Sequence, residues 1–193
     1  MEPLPTSAFL RPTDVVDFSH PSVLEKVAEL SGLSSSPGEY PKIAFDWVRD
    51  SILHSHDHSR NPVTWKASDV LASQTGFCFA KSHLLAALLR AKGIPTGFCY
   101  QRISRPGEEP YLHGLCAIYL PQHGWYRADP RGNKPGVDAQ FTPPIERLAY
   151  PPTEPWVDPD PVIYPDPQTI VIELLKTSPT LEVVLHRLPR MTG

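Results

Sequence analysis

The chain has 193 residues, the size of one domain with a substantial core, and 40% of them are apolar. Eighteen Lys plus Arg stand against 21 Asp plus Glu, a formal charge of −3, which argues against the broad basic surface of a nucleic-acid binder. The longest apolar runs fall far short of the roughly 20 residues that a bilayer span requires, so neither nucleic acid nor a membrane is an expected partner.

Three cysteines, Cys78, Cys99 and Cys116, cannot all pair within one chain, and the opening residues do not read as a secretory leader. A reducing cytoplasm is the expected location. A first helix is expected to open at Ser22, with Glu25 completing a capping box, and to end at Gly32. A second runs from Pro41 to about Leu53, with Ile43, Trp47, Val48 and Ile52 on one side and Asp46, Arg49 and Asp50 on the other. The next five residues, His54-Ser55-His56-Asp57-His58, offer several metal-ligand types but fall one residue short of the His-x-His-x-Asp-His spacing of metallo-hydrolases. No distant His or Cys completes a site, so the segment reads as a solvated loop, and neither metal nor cofactor is expected.

A short helix is expected over Ser68–Ser73 with Ser68 as its cap. The strongest helical signal is Cys78–Lys92, where Leu84, Leu85, Leu88 and Leu89 form an apolar face, Arg90 and Lys92 oppose the dipole, and Gly93-Ile94-Pro95 is the stop. The period then changes. Residues 97–103, 112–120 and 124–129 are rich in aromatic and β-prone types and read as three antiparallel strands. Helices followed by strands, with connections too short for parallel crossovers, give an α+β domain.

Proline is over-represented, at 24 residues, and nine of these fall between Pro143 and Pro167. That stretch cannot be regular helix or central strand. With Tyr150, Trp156, Val162, Ile163 and Tyr164 as apolar anchors it reads as an extended wrap over the surface. Two helices follow, from Asp166-Pro167 to about Lys176 and from Ser178-Pro179 to about Arg187, although Thr169–Ile172 would suit a strand equally well. The organisation expected is residues 1–142 as the domain, its core at about 40–135, with 143–193 packed on the same domain.

Cys78 stands at the amino-terminal tip of the leucine-rich helix, where free amides and the positive dipole end favour a thiolate, the form that attacks carbonyls. Downstream, if the hairpin turns through Leu120-Pro121-Gln122 with Tyr119 opposite His123, His113 lies opposite Asp129 with Cβ atoms about 5 Å apart. A His braced by an Asp and offered to a thiol is the constellation of acyl transfer. His83, about 140° round the helix from Cys78, is poorly placed to serve as the base. Cys99 and Cys116 read as small core residues, and Arg127, Arg131 and Lys134 either favour an acidic group near the site or form a wet surface.

Ala67-Ser68-Asp69-Val70-Leu71, Gly76-Phe77-Cys78, the run from Leu84 to Gly93-Ile94-Pro95, His113-Gly114 and Trp125-Tyr126-Arg127-Ala128-Asp129 together resemble the bacterial transglutaminase-like superfamily of cysteine peptidase-related proteins. The resemblance covers roughly residues 40–135. It implies a papain-like, transglutaminase-like α+β core, with the helix bearing the nucleophilic Cys packed on an antiparallel sheet, and a triad of Cys78, His113 and Asp129. By analogy with the glutamine ahead of the nucleophile in papain-like enzymes, Gln74 is the candidate second donor to the oxyanion, beside the Cys78 amide. The chain has no room for the added β-domains of animal transglutaminases, so calcium-controlled cross-linking is not implied. The expected function is cysteine-dependent acyl transfer on amide bonds through a thioester, by a peptidase, an amidase or a transglutaminase-like acyltransferase. The expected substrate is a peptide, a protein or a small amide. The alternative is a non-catalytic peptide- or acyl-binding module on the same fold. Loops 54–66 and 104–111 would shape specificity, and oligomeric state leaves no mark on the sequence.

Overall fold

The computed structural model describes residues 4–188. Helix α1, Pro21–Ser31, starts one residue before the expected capping box. Proline favours the first helical position, so Pro21 takes it, and the cap moves back to His20, whose ring accepts from the Ser22 amide. Helix α2 spans Tyr40–Ser51 and α3 spans Ala67–Ser73. Ser68 lies inside the first turn of α3 rather than capping it; its amide and hydroxyl both donate to the Asp17 carboxylate, from a segment about 50 residues upstream.

Helix α4, Cys78–Arg90, is the axis of the fold, with every residue buried. The helix is covered on all sides, by helices α1 to α3 over part of it and by the sheet over the rest. The four leucines of the expected apolar face are all buried, and so are the polar residues Lys81, Ser82 and His83 on the rest of the helix. Its last turn also departs from expectation, since the Arg90 guanidinium is buried and donates to the carbonyls of Thr96, Arg11 and Pro165, tying three segments together.

Strands β3 (Thr96–Ile103), β4 (Tyr111–Leu120) and β5 (Gly124–Ala128) follow, preceded by two short ones, β1 (Leu53–His54) and β2 (Thr75–Gly76), which pair in parallel. The main sheet is antiparallel in the order β5-β4-β3-β6, where β6 is Val157–Pro159 from the proline-rich stretch. Proline donates nothing to a ladder, and β6 accordingly lies at the sheet edge. The rest of that stretch is the extended wrap, with Tyr164 bridging back to Phe98. Helices α5 (Thr169–Lys176) and α6 (Leu181–Arg187) close the described chain, so Thr169–Ile172 is helical, its strand-prone residues serving an apolar face that buries Val171, Leu174 and Leu175. No helix among the described residues is long and apolar enough to cross a membrane.

Candidate active site

Three elements bring Cys78, His113 and Asp129 to one place. Phe77 is the extended cap residue of α4, so Cys78 occupies the first helical position, beside amides with no intrahelical partner. His113 projects from the interior of β4, and the residue after it explains how closely the helix approaches. A Cβ on Gly114 would stand 2.4 Å from the ring of Phe79, in the first turn of α4. Only glycine lets that turn, and Cys78 with it, lie against the strand that carries His113.

Asp129 follows the last residue of β5. The hairpin register differs from the expected one: Tyr119 faces Trp125, not His123. The reversal is a three-residue loop, Pro121-Gln122-His123, in which the His123 amide donates to the Leu120 carbonyl, and Gly124 supplies the left-handed conformation that follows it (φ +73°). A two-residue shift preserves the pleat, so His113 and Asp129 keep a common face as diagonal rather than direct neighbours. The pairing itself ends at Cys116 and Ala128, which frees Asp129 to turn inward. His113 Nε2 lies 2.7 Å from Asp129 Oδ2, with both side chains buried.

Asp129 accepts two further bonds, from the Arg131 amide at Oδ1 and from the Ala149 amide at Oδ2. Burial alone would raise its pKa, but the charge on His113 and the bonds from His113 and the Arg131 amide outweigh it and hold the group below its ordinary value. For His113, burial opposes protonation. The charge of Asp129 ahead of that of Cys78, together with the hydrogen bond to Asp129, overcomes it and lifts the imidazole to about 9. With Nε2 committed to Asp129, Nδ1 is the nitrogen left for the sulfur.

These side chains open onto a cleft of about 500 Å³, lined by Cys78, Phe77, His113, His54, Arg131 and Tyr150, and also by Arg105, Glu108, Glu109, Tyr111 and Leu112. Both expected specificity loops thus contribute walls. The proline-rich wrap adds Tyr150, whose ring meets His113 edge to face at 4.8 Å. Arg105 stacks over both Tyr150 and Trp156, 4.4 Å from the latter.

Gln74 does not reach this cleft. It closes α3 in a left-handed conformation (φ +51°), and its side-chain amide donates to the Leu71 carbonyl at 2.6 Å. A residue spent on ending its own helix cannot also face the carbonyl of a substrate at Cys78. The segment His54–His58 is not simply a solvated loop either. His54 and Ser55 are buried, with His54 in β1 and the Ser55 amide bonded to the Gly76 carbonyl. His56 and His58 are exposed, and among the described residues no group of three potential ligands could hold a metal ion. Of the three basic residues singled out, Arg131 is buried in the cleft wall and pairs with Asp57 at 3.0 Å, and Lys134 pairs with Asp57 at 2.7 Å. Arg127 sits elsewhere, paired with Glu146. His83 is buried away from the cleft, bonded to the Trp65 carbonyl. Cys99 and Cys116 are buried free thiols, and burial pushes Cys99 up to about 12 and Cys116 higher still.

A buried Cys at a helix tip, faced by a His–Asp pair on an antiparallel sheet, is the architecture of the papain-like cysteine proteases and their transglutaminase-like relatives. The chain belongs to the transglutaminase-like superfamily, whose model matches residues 25–130. Among solved structures it is similar to a candidate cysteine protease from Cytophaga hutchinsonii, at 21% identity and a TM-score of 0.53, over 65% of this chain and 42% of that one. It is also similar to the periplasmic domain of TgpA from Pseudomonas aeruginosa, at 22% identity and a TM-score of 0.47, over 65% of this chain and 48% of that one. The chain therefore spans less than half the length of either structure. No curated protein matches it.

Proposed function

We propose that this chain is a cysteine-dependent enzyme that transfers acyl groups from amide bonds through a thioester on Cys78. The observation that carries the reading is the 2.7 Å bond between His113 and Asp129 inside a cleft that Cys78 also lines. A buried imidazole held at about 9 is an imidazolium at neutral pH, the partner a thiolate requires. In the first half-reaction the Cys78 sulfur forms a bond to the amide carbonyl carbon, and the π pair moves onto oxygen. Collapse of that intermediate breaks the C–N bond, and the departing nitrogen takes the Nδ1 proton of His113. In the second, neutral His113 accepts a proton from the incoming water or amine as that nucleophile adds to the thioester. The C–S bond then breaks and restores the thiolate–imidazolium pair. Asp129 holds Nε2 throughout, fixing the ring and its tautomer. Membership of the superfamily points to peptide or protein substrates.

The test is site-resolved alkylation of the native protein by iodoacetamide at pH 7, followed by mass spectrometry, with an acyl probe such as p-nitrophenyl acetate to trap the thioester. Cys78 should be labelled at least about tenfold faster than Cys99 or Cys116 and should alone be acylated, and His113→Ala should remove the selectivity. Equal labelling of the three thiols would refute the proposal.

A further inference from the structure

The tetrahedral oxygen formed at Cys78 needs hydrogen-bond donors, and the residue expected to supply the second one, Gln74, is turned away. The cleft wall offers another. His54 reaches the site because β1 pairs in parallel with β2, placing it opposite Gly76, two residues before the nucleophile. Its ring lies 5.2 Å from that of Phe77, the cap residue of α4, and lines the same cleft as Cys78 and His113.

The two nitrogens of this ring have different surroundings. Nδ1 lies 3.4 Å from Nη2 of Arg131, a guanidinium that can only donate. Asp57 Oδ2 is 3.6 Å from the same nitrogen, beyond hydrogen-bond reach, and the carboxylate is already held by Arg131 and Lys134. Nδ1 must therefore present its lone pair to Arg131, which leaves the single proton of a neutral ring on Nε2. That Nε2 is buried and has no hydrogen-bond partner among the described residues. Burial first, then the positive charges of Arg131, Lys81 and His113 and the neighbouring His56, hold His54 well below the ordinary histidine value, so the ring stays neutral beside the imidazolium of His113.

We infer that His54 is the second oxyanion donor of this site, its Nε2–H directed by Arg131 at the oxygen that becomes negative when Cys78 attacks an amide. The inference rests on the acyl-transfer reading above and assigns it a residue. His54 transfers no proton. As the C–S bond forms and the π pair reaches oxygen, the Nε2–H bond to that oxygen strengthens, and it relaxes when the pair returns and the C–N bond breaks. Arg131 is a positioning residue, acting through the tautomer it imposes.

Two reagents separate this role from a merely structural one. Alkylation by iodoacetamide proceeds by displacement and builds no oxyanion, whereas acylation by p-nitrophenyl acetate does. In His54→Phe the alkylation rate of Cys78 should stay within about twofold of wild type while the acylation rate falls about 100- to 1000-fold, and His54→Gln, which keeps an N–H, should recover part of the loss. Acylation unchanged in both variants, or both rates falling together in both, overturns the assignment while leaving the thioester reading intact. A wild-type Cys78 that reacts no faster than Cys99 overturns the thioester reading and the assignment with it. Should His54→Phe not fold, imidazole ¹⁵N–¹H correlation spectra of the wild-type protein decide the matter. A neutral ring protonated on Nε2 at pH 7 is expected; an Nδ1–H tautomer or an imidazolium at His54 refutes the assignment.

Discussion

Replacing Asp129 by Asn keeps the shape of the His113 partner and removes its charge. His113 is buried, so without that charge only Cys78 is left to oppose the penalty of burial, and its pKa should fall from about 9 towards the ordinary histidine value. The difference between about 9 and the ordinary 6.5 corresponds to about 3 kcal/mol. Because the folded value lies above the unfolded one, the stabilisation His113 provides is complete below pH 6.5 and disappears as pH rises through 9. Lys81 acts in the opposite direction. It is fully buried one turn beyond Cys78, and desolvation, ahead of the charge of Arg131, depresses it to about 7. From pH 7 upward the unfolded chain holds a proton on Lys81 that the folded one lacks, so this group makes the protein more stable as pH rises. The two slopes oppose each other between pH 7 and 9 in the wild-type protein, whereas the Asn variant keeps only the rising one. Urea unfolding should therefore show the stability gap between wild type and Asp129→Asn shrinking by about 2 kcal/mol from pH 7 to pH 9. Titration of the His113 ring by NMR should place the wild type near 9 and the variant at least two units lower. A constant gap, or a His113 that still titrates near 9 in the variant, would show that Asp129 is not what holds the proton.

Gly114→Ala should cost about 1–3 kcal/mol in urea unfolding, because its Cβ would meet the Phe79 ring at 2.4 Å, and it should slow the labelling of Cys78 as α4 is pushed off β4. Arg131→Met strips Asp57, only partly buried and still held by Lys134, of its inner partner and should destabilise by about 1–2 kcal/mol; the double variant with Asp57→Asn should recover at least about 0.5 kcal/mol in a thermodynamic cycle. Arg127→Ala breaks a half-exposed pair with Glu146 on another face, so stability should change by less than about 1 kcal/mol and Cys78 labelling should not change.

The elements that carry strong periodic or capping signals were legible in the sequence. The leucine run and its Gly-Ile-Pro stop mark α4, and the aromatic-rich segments after it mark the three strands of the sheet. The meeting of His113 with Asp129 was legible for a more robust reason than the register assumed. A hairpin misread by two residues keeps every side chain on its face, so the pair survives an error that a one-residue slip would have turned into separation. The cap at Ser68 was misread because its partner, Asp17, lies about 50 residues away, and local spacing cannot report a bond of that length.

His54 is the residue whose place was hardest to foresee, and the reason is physical. Strands β1 and β2 have two residues each, too few to show an alternation, and they pair in parallel across a helix. What remained visible was the local density of histidines, which suggests metal chemistry, whereas the fold sends His54 inward and leaves His56 and His58 outside. The proline-rich wrap conceals its contribution in the same way. Tyr150 stands out in the sequence only as an apolar anchor, yet its ring packs on His113 while the amide of its neighbour Ala149 braces Asp129. Residues 143–164 therefore do more than cover the sheet: they complete the surroundings of the acid that holds the imidazole. A substitution at Tyr150 should accordingly alter the chemistry of Cys78 even though it lies 72 residues further along the chain.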